Sequence, residues 1–493
     1  MNLVLNLEYN PRLSLSKRLA QALRRAIAEE RLLPGDALPS TRDLSVNMKM
    51  SRSTVLSALE ELVEEGLILS VPGSGYYVEQ LAPEKLPAES SKGTESNRGK
   101  QFAPLELTDY ALRVQQVHEG MKIDWLDKLP EINFGAIPSK LTPHKEWDRM
   151  LRRYCRAADI DTLNPTIQPF GYPPLREAVA AYLHRARAVK CTNDQVAIFS
   201  TKQLRLELIT RILVNPGDHV AFEEPGYAEA KYVMKAHGAI IRPVPTDNAG
   251  ILIDELFKNP DPVKLIYVTP SHQDPTGPVM PLERRKKLLH WAYRTGTIII
   301  EDDYDCEYRY GQKALPSLQA LDEFDNVIYL ASLWKSLFMI GFGFAVFPKR
   351  LSAIAEMAKM EMERYLPVAE QVALTDLINE GHLEKYLRKS QSKLAMRRQE
   401  LIFALTRHFK NHLFICAESA GTHLLVRFEK FDDESILAAA KSAKVAIMST
   451  ASYYENAPCK GEFILPFAYY EKEEIEPRIK RWSDEIERRQ AKV

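Results

Sequence analysis

Lys335 is placed where a side-chain amine could do covalent chemistry. It follows the apolar run NVIYLAS and has Trp334, Leu337 and Phe338 as neighbours. Apolar surroundings favour the neutral amine, which attacks an aldehyde to form a Schiff base. The alternative is a surface lysine whose stem lies along apolar neighbours while its ammonium stays in water. The segment therefore predicts either a nucleophile or a solvated cation.

Three other segments carry polar or aromatic side chains after apolar runs. Asp302 and Tyr304 follow GTIIIE within EDDYD, which taken alone favours a solvated acidic loop over a ligand site. Tyr227, in EEPGYAEA, could stack on a flat ring or fill a core. The turn VTPSHQDPTGP, which contains Asp274, could close over a ligand. No segment decides the function by itself.

The apolar runs that precede these residues alternate with helical stretches. The runs are VAIFS, HVAFEE, AIIRPV, KLIYVTP, GTIIIEDD and NVIYLAS. Such alternation predicts an α/β domain with a mainly parallel sheet that helices cover on both faces. Ligands bind at the carboxyl ends of strands in these sheets, so we expect the four segments to meet at one edge.

The first eighty residues have a different pattern. Apolar residues recur at helical spacing from Leu15 to Ala28. The segment LPSTRDLSVNMKMSRSTVLSALEELVEEGLI predicts two short helices, the first capped by Ser40 and the second by Ser51 or Ser53. The following LILSVPGSGYYV predicts a β-hairpin. Helices followed by a hairpin predict an N-terminal, mainly α-helical winged helix-turn-helix.

The start of the third predicted helix suits the major groove of DNA, where short polar and basic side chains contact bases and phosphates. The residues there are Ser51, Arg52, Ser53 and Thr54. The wing tip is Gly73, Ser74 and Gly75, and its small residues let backbone amides approach a phosphate. A helical protein-binding module, in which the serines only cap helices, is the alternative.

The amino-acid composition limits which classes of protein this chain can belong to. Lys plus Arg equals Asp plus Glu at 66 each, so the whole chain has no basic footprint, although one small module can still present a basic face. We find no membrane-spanning run and no secretory leader, and we expect a cytoplasmic protein. The five scattered cysteines form no CxxC pair, which argues against a disulfide framework and a zinc site.

The run LPSTRDLSVNMKMSRSTVLSALEELVEEGLILSVPGSGYYV resembles the GntR family of DNA-binding domains along its whole length. The resemblance implies that Arg42, Arg52, Thr54 and Gly73 contact a double-stranded DNA operator. Leu56 departs from the pattern, because many relatives have a phosphate-contacting arginine there. We expect this domain over residues 8–80, followed by a flexible linker over 81–107 that is rich in Pro, Glu, Ser, Lys and Gly.

The rest of the chain resembles the fold-type I aminotransferases, and more closely the MocR subgroup of GntR regulators, in which such a domain follows the winged helix. The motifs, in order, are GYPPLREAVAAYL, PGDHVAFEEPGY, YVTPSHQDPTG, IIIEDDYDCEYRYG and SLWKS. The resemblance covers nearly the whole chain and implies an aminotransferase class I/II-like effector domain over 108–493. It also implies a head-to-tail homodimer.

By this resemblance the cofactor is pyridoxal 5'-phosphate (PLP). Lys335 would form the internal aldimine, Asp302 would hold the pyridine nitrogen protonated, Tyr304 would bond the phenolic oxygen and Tyr227 would stack near the ring. The phosphate contacts would be Ser332 and the turn Ser200, Thr201 and Lys202, and Asp274 takes the position of the usual asparagine.

Several positions depart from the aminotransferase pattern. Phe342 replaces the usual phosphate-binding arginine, and Trp334 replaces a serine. Lys202 is expected to supply the missing positive charge, whereas an ionised Asp274 would repel the PLP phenolate. The arginine that clamps a substrate carboxylate is not evident in GEFILPFAYY.

Three functions therefore remain open. The first is a DNA-binding regulator that binds PLP and senses a small-molecule effector. The second is a regulator whose aminotransferase-like domain has lost PLP and binds another ligand. The third is a working aminotransferase with a regulatory appendage, which lacks the carboxylate clamp that would orient its substrate.

Overall fold

The computed structural model describes residues 7, 13–79, 106–120, 141–155, 168–258, 261–305, 307–310, 315–333, 341–417 and 420–490. The chain divides into two compact units, Met1–Pro104 and Leu105–Val493. Most of the predicted linker, together with Trp334 and Lys335, lies outside the described residues.

The small unit is a winged helix, as predicted. Its elements are α1 (Leu15–Ala28), α2 (Thr41–Asn47), α3 (Arg52–Glu64), β1 (Ile68–Val71) and β2 (Gly75–Val78). Each helix begins after a serine, Ser14, Ser40 or Ser51, whose hydroxyl accepts a backbone N–H of the first turn. The two strands pair antiparallel, with Val71 opposite Gly75.

The core of this unit follows from helical periodicity. Leu19 and Leu23 of α1 pack with Leu59 and Leu62 of α3, and all four side chains are buried. Because these residues are three or four positions apart on their helices, they form one apolar stripe on each helix. The two stripes leave the opposite face of α3 in solvent.

The large unit contains the remaining elements. Its helices are α4 (Asp109–Gly120), α5 (His144–Tyr154), α6 (Pro173–Arg187), α7 (Lys202–Leu213), α8 (Ala228–Ala236), α9 (Ile253–Lys258), α10 (Leu282–Thr295), α11 (Leu318–Leu321), α12 (Lys349–Met362), α13 (Val368–Asn379), α14 (His382–Phe409), α15 (Asp433–Ala443) and α16 (Lys472–Gln490). Its strands are β3 (Val196–Phe199), β4 (His219–Glu224), β5 (Ile240–Asp247), β6 (Gly250–Ile251), β7 (Val263–Val268), β8 (Ile298–Asp302), β9 (Val327–Ser332), β10 (Gly343–Val346), β11 (Leu413–Ala417), β12 (His423–Phe428), β13 (Met448–Ser449) and β14 (Glu462–Pro466).

The main sheet has the strand order β3-β10-β9-β8-β7-β4-β5-β6. Its central pairs, from β9 to β5, are parallel, and β10 is antiparallel to both of its neighbours. Leu265 and Tyr267 pack in the cluster that contains α7 and α8, whereas Ile266 and Val268 pack in the cluster with α10. The prediction of a mainly parallel sheet covered on both faces is confirmed.

A second, antiparallel sheet, β11-β12-β14-β13, packs with helices near the C-terminus of the chain. Trp482 of α16 is fully buried there and contacts the rings of Phe409 and Phe428. Within the described part of the chain, every helix is too short or too polar to cross a bilayer.

A buried ion pair ties the end of α6 to the residues that follow β8. The Arg187 Nε donates to Asp303 Oδ2 at 2.6 Å, and both side chains are almost fully shielded from solvent. The same guanidinium donates to the Ser271 hydroxyl at 2.6 Å and to the Leu315 carbonyl at 2.9 Å. One arginine therefore connects three loops at this edge of the sheet.

We expect Arg187→Met to destabilise the large unit by about 3–5 kcal/mol, because it leaves the Asp303 carboxylate buried without its cation. All five tryptophans lie after residue 104, so urea unfolding followed by tryptophan fluorescence measures this unit. Arg152→Met is the matched control, since its ion pair with Asp148 is exposed to water and contributes little to stability. Equal midpoints for the two variants would contradict the prediction.

Candidate functional site

The predicted ligand residues that the structure describes lie where main-sheet strands end. Asp302 and Ser332 are the last residues of β8 and β9, and Lys202 begins α7 just after β3. Tyr227 lies between β4 and α8. Tyr304 and Asp274 are in the loops after β8 and β7. The sheet topology therefore brings together residues that are up to 130 positions apart in the sequence.

Asp302 is buried and bonded to two side chains. Its Oδ2 lies 2.7 Å from the Lys202 Nζ and also accepts a hydrogen bond from the Tyr267 hydroxyl. Its neighbours in EDDYD that are described are also buried. The interpretation of this segment as a solvated acidic loop is therefore wrong, because β8 ends inside the domain rather than at its surface.

Aromatic rings surround the ammonium of Lys202. The Nζ lies 3.6 Å from the centroid of the Tyr227 ring and 5.7 Å from that of Tyr304. Such distances give cation–π attraction in addition to the ion pair with Asp302. We call the space bounded by Asp302, Tyr227 and Tyr304 the Asp302 niche.

The tyrosines of the niche remain protonated at neutral pH. Burial raises the pKa of Tyr227, Tyr267 and Tyr304 well above the usual value, and nearby carboxylates raise it further. The Tyr227 hydroxyl donates to Glu229, and the Tyr267 hydroxyl donates to Asp302. Two of these phenols therefore donate to carboxylates of the protein, and the third, Tyr304, contacts His272.

A histidine pair lies beside Tyr304. The Nδ1 of His272 is 2.9 Å from the Tyr304 hydroxyl and 3.5 Å from Asp305 Oδ2, and its ring packs against that of His423. A Cβ at Gly421 would lie 2.2 Å from the His272 ring, so this position requires glycine. No sequence pattern marks either histidine, although His272 belongs to the turn VTPSHQDPTGP, which could close over a ligand.

The turn that contains Asp274 rests on a second buried acid. The Asp274 backbone N–H donates to the Thr269 hydroxyl at 3.0 Å, and that hydroxyl donates to Glu223 Oε2 at 2.6 Å. Burial raises the pKa of Glu223 to about 7, although hydrogen bonds from Thr269 oppose the shift. Glu223 is therefore only partly ionised beneath the turn at neutral pH.

The turn predicted to contact a phosphate faces a carboxylate. The Ser200 backbone N–H donates to Glu363 Oε1 at 3.2 Å, and the Thr201 hydroxyl caps α7 by accepting from Leu204. Glu363 also pairs with the buried Lys359 at 3.1 Å. No sequence pattern pointed to Glu363, which follows α12 and lies more than 160 positions from Ser200.

Another cation near this turn is bound to the sheet. Arg205 of α7 is fully buried, and its Nη1 donates to the carbonyl of Phe344 at 2.8 Å and to that of Ala331. A Cβ at Gly343 would lie 2.6 Å from the centre of its guanidinium. Phe342, at the position expected for the phosphate-binding arginine, is buried in the apolar core.

These contacts test whether the described residues fit PLP. The ring end fits, because a buried carboxylate, a stacking tyrosine and a phenolic donor occur together. At the phosphate end, Ser200 bonds to a carboxylate, while the Lys202 ammonium lies at Asp302. Among the described residues, the fit is therefore better for the ring than for the phosphate. Lys335 lies outside them.

The predicted DNA-binding residues lie at one end of α3. Arg52 and Ser53 are exposed and Thr54 is half-buried. The Ser51 hydroxyl accepts the Thr54 backbone N–H at 3.2 Å, so Ser51 acts as the helix cap. Leu56, one turn further on, is 39% exposed. This helix start presents a cation and hydroxyls to solvent, as a groove contact requires.

Arg42 and the wing are also accessible. Arg42, in the first turn of α2, is exposed, as are Gly73 and Ser74 in the turn between β1 and β2 and Gly75 at the start of β2. Gly73 has φ +76°, a conformation that favours glycine. At the opposite end of α3, Arg24 pairs with Glu65 at 2.6 Å and with Glu61 at 3.3 Å. These ion pairs offset part of the acidic charge of α3.

Two family models match the chain. Residues 15–78 match the bacterial regulatory proteins of the gntR family, and residues 134–457 match aminotransferase class I and II. The matches coincide with the winged helix and with most of the large unit.

Known proteins share the same two-part architecture. The chain is 32% identical over 459 residues to the probable rhizopine catabolism regulatory protein MocR of Rhizobium meliloti, covering 92% of this chain and 90% of that protein. It is 28% identical over 404 residues to the transcriptional regulator TauR of Rhodobacter capsulatus, covering 80% of each chain.

A solved structure shares the fold of the large unit. The α-aminoadipate aminotransferase LysN from Thermus thermophilus has a TM-score of 0.69 at 24% identity, covering 78% of this chain and 98% of that one. The fold of the large unit is thus that of an aminotransferase. The chain belongs to the MocR-type transcription regulators, which join a GntR-family DNA-binding domain to an aminotransferase class I and II domain.

Proposed function

We propose that this regulator binds operator DNA through its small unit, and binds PLP and a small-molecule effector through its large unit. The observation that carries the proposal is the Asp302 niche. At the carboxyl edge of the sheet, the Lys202 ammonium contacts both the buried Asp302 carboxylate and the Tyr227 ring, and the Tyr304 ring lies nearby. A protonated pyridine ring is a flat cation, and this combination of charge and aromatic surface suits it.

The residues of the niche have distinct roles in this proposal. Asp302 accepts from the ring nitrogen, Tyr227 stacks near the ring, and Tyr304 donates to the phenolic oxygen. Lys335 holds the cofactor covalently, and Ser332 with the 200–202 turn faces the phosphate. When bound, PLP supplies an aldehyde carbon that captures amines reversibly. His272 and Asp305 orient the Tyr304 hydroxyl through the 2.9 Å contact to His272.

In this proposal, the effector regulates the protein by changing the populations of its different conformations. We propose a head-to-tail homodimer in the cytoplasm, whose two small units bind two related half-sites. An effector that binds one arrangement of the dimer better than another moves the population toward it. The exposed Arg42, Arg52 and wing residues make the DNA contacts in this scheme.

A second candidate is a regulator whose large unit binds a ligand other than PLP. Two contacts favour it: Lys202 occupies the hydrogen-bonding position on Asp302, and Glu363 accepts the Ser200 N–H. A working aminotransferase has less support, because β14 in GEFILPFAYY is an apolar, buried strand.

We expect purified parent protein titrated with PLP to develop the absorbance band of lysine-bound pyridoxal phosphate, and Lys335→Ala to lack it, because the variant has no amine at that position. Lys264→Ala, which removes an exposed lysine of β7, is the matched control and should behave like the parent. A band that persists in Lys335→Ala would assign the covalent bond to another lysine. If the parent shows no band at high PLP, the second candidate leads.

We expect Arg52→Ala to weaken operator binding roughly tenfold and to reduce the salt dependence by about one phosphate contact. Fluorescence anisotropy on a duplex selected by the parent protein measures both quantities. Lys17→Ala is the control, since it removes one exposed cation from α1 instead of α3. Unchanged affinity of Arg52→Ala at fixed salt would place the DNA-contacting surface elsewhere.

A further inference from the structure

The Lys202 ammonium lies inside the niche that the proposed function assigns to the PLP ring. It contacts Asp302 Oδ2 at 2.7 Å and sits 3.6 Å from the centre of the Tyr227 ring. The side chain is 21% exposed, whereas Asp302 is almost fully buried. A lysine of this chain therefore makes the two contacts proposed for the pyridine nitrogen and the ring face.

A ring that enters the niche would compete with Lys202 for these contacts. Asp302 Oδ2 already accepts from both Lys202 and the Tyr267 hydroxyl, so a ring N–H directed at the same oxygen meets an occupied acceptor. A flat ring stacked on Tyr227 lies about 3.5–4 Å above it, the optimal separation for carbon atoms. The Nζ is at that same height. Ring and ammonium therefore require the same volume.

The negative charge of Asp302 should make the niche select cationic ligands over neutral ones. A buried carboxylate needs a cation, and either a lysine ammonium or a protonated pyridine meets that need. A neutral ring has no charge to replace that of Lys202 and would remove the ammonium that contacts Asp302. The niche should therefore exchange one cation for another and discriminate against uncharged ring ligands.

We propose that Lys202 is an internal competitor for the cofactor site, so that its ion pair with Asp302 and the binding of a protonated ring at Asp302 exclude each other. This inference rests on the proposed function. It separates two roles for Lys202, because a lysine that serves the phosphate would strengthen PLP binding, whereas a competitor weakens it. The apparent dissociation constant rises in proportion as the competent arrangement becomes less populated.

The test is PLP binding to Lys202→Met, which keeps an unbranched side chain of similar length and removes its charge. We expect Lys202→Met to bind PLP about tenfold more tightly than the parent, measured by equilibrium dialysis at fixed pH and salt. Lys286→Met, on an exposed ion pair of α10, should match the parent. The fluorescence unfolding midpoint of each variant establishes that it is folded.

Each outcome decides between the two roles. Weaker or equal binding by Lys202→Met, when the parent binds PLP, overturns the competition and leaves the proposed function standing. Binding by Lys202→Met alone supports the competition in its strongest form. Absence of binding in both overturns the proposed function and also removes the competition with PLP.

A second measurement tests the ion pair without PLP. Lysine acetylation followed by mass spectrometry should modify Lys202 slowly in the parent and faster in Asp302→Asn, because the substitution removes the carboxylate partner. Lys286 serves as the internal reference within the same digest. Equal Lys202 reactivity in the two proteins would overturn the pairing on which the inference depends.

Discussion

The large unit is organised around a row of buried carboxylates at the end of β8 and in the loop that follows it. Glu301, Asp302, Asp303 and Asp305 are each 2% exposed or less. Buried charges must be compensated, so each acid takes partners from other elements. The Glu301 carboxylate accepts two backbone N–H groups at the start of α11, Asp302 pairs with Lys202 of α7, Asp303 pairs with Arg187 of α6, and Asp305 lies near His272. The contacts that compensate these buried acids therefore also bring the residues of the candidate site together.

This arrangement gives the residues of the candidate site a structural role. The Lys202–Asp302 pair connects the start of α7 to the end of β8, and its ammonium lies in the niche proposed for the PLP ring. Similarly, the Thr269 hydroxyl supports the Asp274 turn through Glu223, whose raised pKa of about 7 limits the negative charge nearby. A ligand that binds at this edge of the sheet would therefore break contacts within the protein as well as form new ones.

In the small unit, the important feature is where the charged side chains lie along α3. The chain has as many acidic as basic side chains, so overall electrostatics do not attract DNA. Along α3, however, the exposed Arg52 lies at the start, while Glu61 and Glu65 lie near the end and pair with Arg24. Separation of charge along one helix leaves its start suitable for a polyanion. Position on the helix, and not net charge, makes this surface fit DNA.

The sequence by itself determined the architecture and the family. Capping serines, the period of the apolar residues and the alternation of strands with helices act over a few residues, so the winged helix, the parallel sheet and the placement of Asp302, Tyr227 and Tyr304 after strands could be predicted. Only the tertiary structure decided which side chains contact one another in the candidate site. The contacts of Lys202 with Asp302, Ser200 with Glu363 and His272 with His423 join residues 100 to 163 positions apart. The structure also showed EDDYD to be buried. Such pairings depend on the order of the strands in the sheet and on which charges the folded core shields from water. Local sequence patterns contain no information about either of these.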